Sequence, residues 1–221
     1  MIITFDCYGT LVDWESGISV ACIQAAAEDG VTLDRESVLR VHAEIEPQIQ
    51  SAGFKSYRDV LCEVALGIAT RFGWDIVDGR ASFLPDSLPS WKPFPDTNAA
   101  LEQMRRQGHR LGILSNVDDD MLAGTLRHLV VEFDFLVTAQ ELGSYKPALA
   151  HFERAREIAG AGEWIHVAQS YFHDVEPGVA FGVPVVWINR KGEPPGGEAR
   201  PNAEYTTLGE FAEALSTGVT V

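Results

Sequence analysis

Four stretches of this sequence carry side chains able to do chemistry. Asp6 closes the apolar run Ile2–Phe5 and precedes Tyr8-Gly9-Thr10. An aspartate carboxylate can be a nucleophile that forms a covalent ester, and it can equally cap a turn. Lys146, in Ser144-Tyr145-Lys146-Pro147, can hold a nearby carboxylate ionised, or it can be a solvated lysine near a helix start. Leu114-Ser115-Asn116 offers hydroxyl, amide and backbone N–H donors to an anion, or a helix cap before Asp118-Asp119-Asp120. Asp174, after His173, can cap the helix that follows or serve a site. His173 is a residue type that ordinarily titrates near neutral pH, and a core role is equally open to it. Thr10 either caps locally or bonds Asp6.

The elements around these residues explain why they matter together. Ile2–Phe5 is short, apolar and β-branched, as a buried strand should be. Gly9 then permits a turn that other residues avoid. Helical spacing follows over 16–28, closed by Gly30, then from 34 to 51 and from 56 to 72. Pro47 predicts a kink or break in the second of these helices. Residues 82–91 are rich in Ser and Pro and read as a return linker.

From Pro95 the rhythm becomes helix–strand. Helices are expected at 97–107, 119–129, 147–159, 176–181 and 208–215, the third with Pro147 in its first turn. Strands are expected at 110–114, 133–137, 164–168 and 183–189, with a short one starting at 205. Residues 191–202 read as a surface loop. The fold class is therefore α/β, a Rossmann-like parallel sheet with an all-helical insert. Residues 1–12 and 92–221 form the expected core, and 13–91 the insert. Each of the four chemical stretches lies at or just after the carboxyl end of a strand, and in a parallel sheet those ends share one edge.

Composition narrows the partners. The chain has 221 residues, 46% hydrophobic and 22% charged, which suits a globular protein with a sizeable core. A net charge of −15 argues against nucleic acid or an anionic membrane as partner. An anionic substrate would have to be held by local donors. No apolar run approaches a membrane span, and the N-terminus reads as a core strand rather than a signal peptide. Cys7, Cys22 and Cys62 are widely spaced, without metal-ligand spacing, and read as reduced thiols of a cytoplasmic protein. Cys7 has no basic neighbour in sequence to activate it, so it ranks behind Asp6 as nucleophile.

Asp6-x-Tyr8-Gly9-Thr10-Leu11 resembles the first motif of the haloacid dehalogenase superfamily, and the other three stretches match its later motifs in order. The resemblance covers nearly the whole chain. It implies a Rossmann-like core, a helical cap, a nucleophilic Asp6, and Asp174 orienting Lys146 or a hydrolytic water. Phosphatases of the superfamily carry a second Asp where this chain has Tyr8, and a metal-binding Asp where it has Gln169 in Ala168-Gln169-Ser170. A hard cation would lose much of its site. Tyr8 is instead similar to the L-2-haloacid dehalogenase branch, which implies no metal and no cofactor, a small carboxylate substrate, and a homodimer as a plausible assembly.

That branch carries a cap arginine for the halide. In Leu39 to Glu46, Arg40 is out of register, and His42 is the candidate to face the site. Phe152, Gln169 and Tyr171 stand where the branch has Tyr, Ser and Asn. Trp14 is expected at the cap–core hinge. The expected catalytic set is Asp6, Thr10, Lys146 and Asp174. The expected substrate contacts are Tyr8, His42, Ser115, Asn116, Ser170 and His173. The expected activity is displacement of halide from a 2-haloalkanoic acid through an ester on Asp6. The alternatives are a phosphatase acting on a small phosphate ester and a hydrolase of another 2-substituted carboxylate.

Overall fold

In the computed structural model, residues 1–77 and 79–218 are described. The elements run β1 (Ile2–Phe5), α1 (Trp14–Glu28), α2 (Arg35–Ser51), α3 (Tyr57–Arg71), α4 (Phe83–Ser87), α5 (Thr97–Arg106), β2 (Arg110–Ser115), α6 (Asp119–Leu126), β3 (Phe135–Thr138), α7 (Ala139–Leu142), α8 (Ala150–Ala159), β4 (Trp164–Ala168), α9 (Glu176–Phe181), β5 (Val185–Ile188), β6 (Ala203–Tyr205) and α10 (Leu208–Ser216). They divide into two compact units. Residues 1–13, 93–116 and 127–218 belong to the first, and 14–77, 79–92 and 117–126 to the second.

The first unit is built on a six-stranded sheet of order β3-β2-β1-β4-β5-β6. Every pairing is parallel. All four residues of β1 are buried, as are all of β4 and β5, because helices cover both faces of a parallel sheet. The chain moves outward from β1 to β2 and β3, then returns to place β4 on the other side of β1. That reversal makes a crevice at the carboxyl ends of β1 and β4, where open α/β sheets bind ligands. Asp6 begins there, its N–H donating to the Val167 carbonyl at 3.1 Å.

One face of this sheet carries Ile2, Leu114, Val137, Trp164, Val185 and Trp187, packed with Phe152 and Ala155 of α8. Phe152 is fully buried against Trp164, Phe181 and His166. It is a core residue rather than part of a substrate pocket, and its truncation to Ala would cost about 3–5 kcal/mol.

The second unit holds α1, α2, α3, α4 and α6. Asp34 caps α2 through the Ser37 N–H at 2.9 Å, and Ser56 caps α3 through the Asp59 N–H at 3.1 Å. Asp118 accepts the Tyr57 and Arg58 N–H groups at the start of α3, both at 2.9 Å. A carboxylate at a helix N-terminus is favoured, and here it ties residues 117–126 to the helical unit. Among the described residues, no helix is long and apolar enough to cross a membrane.

Four local expectations are corrected. Residues 82–91 are not a linker but a series of short helical turns that bury Leu84, Pro85 and Leu88; their apolar residues outweigh the Ser and Pro signal. Helix α2 runs unbroken through Pro47, where both Pro47 and Ala43 are exposed, so the carbonyl that Pro cannot bond is free to meet water. Pro147 does not open α8, which begins at Ala150; it follows Lys146 through a cis peptide in a turn closed by the Ala148 N–H on the Tyr145 carbonyl. Helix α6 ends at Leu126 rather than 129.

Candidate active site

Asp6 sits at the crevice between β1 and β4, and the turn after it holds it there. The N–H groups of Leu11 and Val12 both donate to the Cys7 carbonyl, at 2.8 and 3.0 Å, and Gly9 adopts φ 106° to close the loop. The turn brings Thr10 back over the strand end. Its hydroxyl accepts the Gln169 N–H at 2.9 Å, so its single hydrogen is donated to Asp6 Oδ2, also at 2.9 Å. Arg190 steadies the same turn by donating to the Thr10 carbonyl at 2.9 Å, while its guanidinium pairs with Asp96 at 3.1 Å.

Lys146 reaches the site from the loop before α8. Its side chain is only 1% exposed. Its three ammonium hydrogens have three acceptors: Asp6 Oδ1 at 2.9 Å, Asp174 Oδ1 at 2.7 Å and the Leu114 carbonyl at 2.8 Å. A buried ammonium with every hydrogen matched stays charged at modest cost. Burial alone would lower its pKa, but Asp174 and then Asp6 outweigh this and raise it above the ordinary lysine value.

The two carboxylates are not equivalent. Burial pushes Asp174 up, but the Lys146 charge and then the His166 contact hold it well below the usual carboxylate range. Burial pushes Asp6 up from its ordinary value, Lys146 opposes this, and the negative Asp174 reinforces it. Both Asp6 oxygens nonetheless face donors, Lys146 on one side and Thr10 on the other. That donor set matches a carboxylate, since a protonated carboxyl would have to donate in turn.

Asn116 holds the lysine by its backbone. Its Oδ1 accepts the Lys146 N–H at 2.7 Å and its Nδ2 donates to the Lys146 carbonyl at 3.0 Å. One amide hydrogen remains for a ligand. The hydroxyl of Ser115 is buried and has no hydrogen-bond partner among the described residues. The Ser115 carbonyl accepts from His151 Nε2 at 3.3 Å. Burial first, then the Lys146 charge, lowers the His151 pKa to about 3, so this ring stays neutral.

The remaining expected residues are placed differently. Tyr8 is half-buried beside Gly9 in the turn. Ser170 and His173 engage each other: the His173 N–H donates to Ser170 Oγ at 3.1 Å, capping the helical turn Tyr171–Val175. Tyr171 packs on Trp187 and donates to the Gly197 carbonyl at 3.2 Å, a structural role. His42 belongs to the second unit, where its ring lies 5.0 Å from that of Trp14. It is 2% exposed, and neither ring nitrogen has a hydrogen-bond partner among the described residues. Cys7 is buried, and burial and then the Asp6 charge push its thiol well above the ordinary value, which leaves it a poor nucleophile.

Two contributors carry little sequence signal. His166 lies in the middle of a buried strand and reads as core, yet its Nε2 lies 3.0 Å from Asp174 Oδ1. The Leu114 carbonyl is backbone and has no sequence signature. Among the described residues, no group of three or more His, Cys, Asp and Glu side chains is arranged to hold a metal ion. Between the two clustered carboxylates stands the Lys146 ammonium instead.

The chain has relatives. A haloacetate dehalogenase from Moraxella sp. (strain B) is 30% identical over 196 residues, covering 86% of each chain. An (S)-2-haloacid dehalogenase from Burkholderia cepacia is 28% identical, covering 98% of this chain and 95% of that one. The L-2-haloacid dehalogenase structure from Xanthobacter autotrophicus shares the fold with a TM-score of 0.83 at 19% identity, covering 98% and 99% of the two chains. Residues 1–172 match the haloacid dehalogenase-like hydrolase family model, and with that match, which spans Asp6, Ser115 and Lys146, the chain belongs to this family.

Proposed function

We propose that the protein is a metal-independent 2-haloacid dehalogenase in which Asp6 is the nucleophile. The observation that carries this reading is the donor set on Asp6: Lys146 and Thr10 engage both oxygens and keep the carboxylate ionised without a metal. Tyr8 and Gln169, at the two positions that distinguish metal-dependent phosphatases, support the same reading. So do the names of the curated relatives, which describe dehalogenation of haloacetate and (S)-2-haloacids.

In this mechanism an Asp6 oxygen attacks C2 of a small 2-haloalkanoate. The carbon–halogen bond breaks and halide leaves as an anion, so no general acid is needed. The ester on Asp6 is then attacked by water at its carbonyl carbon. The acyl C–O bond breaks, the 2-hydroxy acid departs, and one proton is released overall. Asp174 is the group proposed to position or deprotonate that water. Lys146 stabilises the carboxylate before attack and the charge on the carbonyl oxygen during hydrolysis. The Ser115 hydroxyl and the remaining Asn116 hydrogen are proposed to hold the substrate carboxylate. The helical unit is proposed to act as a cap that excludes bulk water, with His42 among its substrate contacts. Free cysteines suit a reducing compartment, and we place the protein in the cytoplasm as a monomer or homodimer.

The test is halide release from chloro-, bromo- and fluoro-carboxylates in chelator, followed by one turnover in 18-O water with enzyme in excess. Label should appear in Asp6. Label confined to the hydroxy acid would mean that water attacks C2 directly. Release only after magnesium is restored would favour a metal-dependent reaction.

A further inference from the structure

His166 is not needed to build the sheet. It sits at the centre of β4, flanked along the strand by Ile165 and Val167, and it is fully buried. A buried imidazole at such a position requires partners, and here they form a directed chain. Thr4 and His166 are paired across β1 and β4. Trp164 Nε1 donates to Thr4 Oγ1 at 2.8 Å, and an indole nitrogen can only donate. The Thr4 hydroxyl has one hydrogen and two acceptors in reach, His166 Nδ1 at 2.9 Å and the Ile165 carbonyl at 3.3 Å. At the other side of the ring, His166 Nε2 faces the carboxylate oxygen Asp174 Oδ1 at 3.0 Å, so Nε2 carries a hydrogen and donates it. With Nε2–H fixed, the shorter Thr4 contact makes Nδ1 the acceptor. Every donor from Trp164 through Thr4 and His166 then points toward Asp174. Phe152 packs edge-on to the imidazole at a centroid distance of 5.1 Å and an angle of 81°, which restricts ring rotation.

The consequence lies on Asp174. Its Oδ1 takes both buried donors, Lys146 and His166. Its Oδ2 is buried with no hydrogen-bond partner among the described residues. A carboxylate oxygen left bare in a buried site is costly unless something binds there. We propose that His166 is a positioning residue for the second half of the reaction: by holding Asp174 Oδ1 it leaves Oδ2 free and oriented for the water that hydrolyses the Asp6 ester. This rests on the dehalogenase reading above. His166 touches neither substrate nor ester, and it acts through Asp174. The first half-reaction uses Asp6 and Lys146 and does not require it.

That asymmetry makes the inference testable in the full-length protein. Rapid-quench halide release and intact-protein mass are measured with 2-chloropropionate for the wild type, His166→Leu and His166→Gln. The Leu variant keeps the ring's bulk but has no donor. It should release one halide per site at near the wild-type rate, then stall as the Asp6 ester accumulates, with steady-state turnover lowered about tenfold or more. The Gln variant can place an amide N–H near the position of Nε2 and should shorten the life of the ester again. A Leu variant with an ester lifetime equal to wild type would overturn the proposal. So would equal slowing of both steps with no rescue by Gln, which is what a packing role predicts. A wild type that releases no halide would instead sink the dehalogenase reading. The hydrogen-bond assignment stands apart from turnover: 15N NMR should show His166 protonated at Nε2, with that proton moving upfield in Asp174→Asn. A proton found on Nδ1 alone would overturn the inference regardless of substrate.

Discussion

Lys146 Nζ lies 2.9 Å from Asp6 Oδ1, joining residues 140 positions apart. It also binds Asp174, so one ammonium neutralises part of a buried pair of carboxylates. Removing it should be severe on two counts. Lys146→Met should abolish halide release, by at least about a thousandfold, and lower stability by about 3–5 kcal/mol, since two buried charges lose their partner. Denaturant unfolding and halide assays on the same preparation check both. A variant that keeps its activity would remove Lys146 from the mechanism.

Asp6→Asn should separate chemistry from folding. The amide oxygen can still accept from Lys146, with the NH2 group turned to the Thr10 hydroxyl, but the amide cannot displace halide. Activity should disappear while circular dichroism is unchanged. Residual turnover above about 1% of wild type would point to another nucleophile.

The rate should depend on pH with a sign set by Asp6. The carboxyl must be ionised to attack, and its pKa is raised above the ordinary 3.8 by burial and by Asp174. Activity should therefore fall as pH drops through a value higher than that of a free aspartate. Stability follows Asp174, whose pKa is shifted the other way, and is also lost on acidification, at lower pH. Its pKa is depressed in the folded state, so its contribution is fully present above the unfolded value of about 3.9 and is lost as pH falls through the folded one. Activity should be lost on acidification before this term is. Coincident loss of the two would show that Asp6 is not raised.

Asn116 and Ser115 should behave differently although they are adjacent. Asn116→Ala frees the Lys146 backbone from two hydrogen bonds and should lower kcat and cost about 1–3 kcal/mol of stability. Ser115→Ala removes a hydroxyl with no partner among the described residues, so it should leave stability nearly unchanged and raise KM. Steady-state kinetics with thermal unfolding distinguishes the two. A Ser115 variant with normal KM would remove it from the carboxylate site.

Attack at C2 followed by hydrolysis at the ester carbonyl inverts the carbon once. A single 2-chloropropionate enantiomer should yield lactate of opposite configuration, as chiral chromatography can show. Retained configuration would require a second displacement at C2.

The sequence alone determined much of this. Strand–helix alternation from Pro95 onward, the run before Asp6 and the glycine after it follow from local side-chain preferences. The four motifs at strand ends are legible because a parallel sheet brings those ends to one edge. Tyr8 and Gln169 pointed to the dehalogenase branch through the resemblance of the motifs in which they stand. Local signals failed where long-range packing overrode them. Residues 82–91 look like a linker until Leu84 and Leu88 are buried. Asp118 looks like the start of its own helix but caps α3, 60 residues earlier. Only the tertiary structure decided that Asn116 clamps the Lys146 backbone, that Phe152 is core, and that His166 links Thr4 to Asp174. Those relationships depend on strand register and on hydrogen bonds between residues far apart in the chain, which no local pattern of residue types encodes.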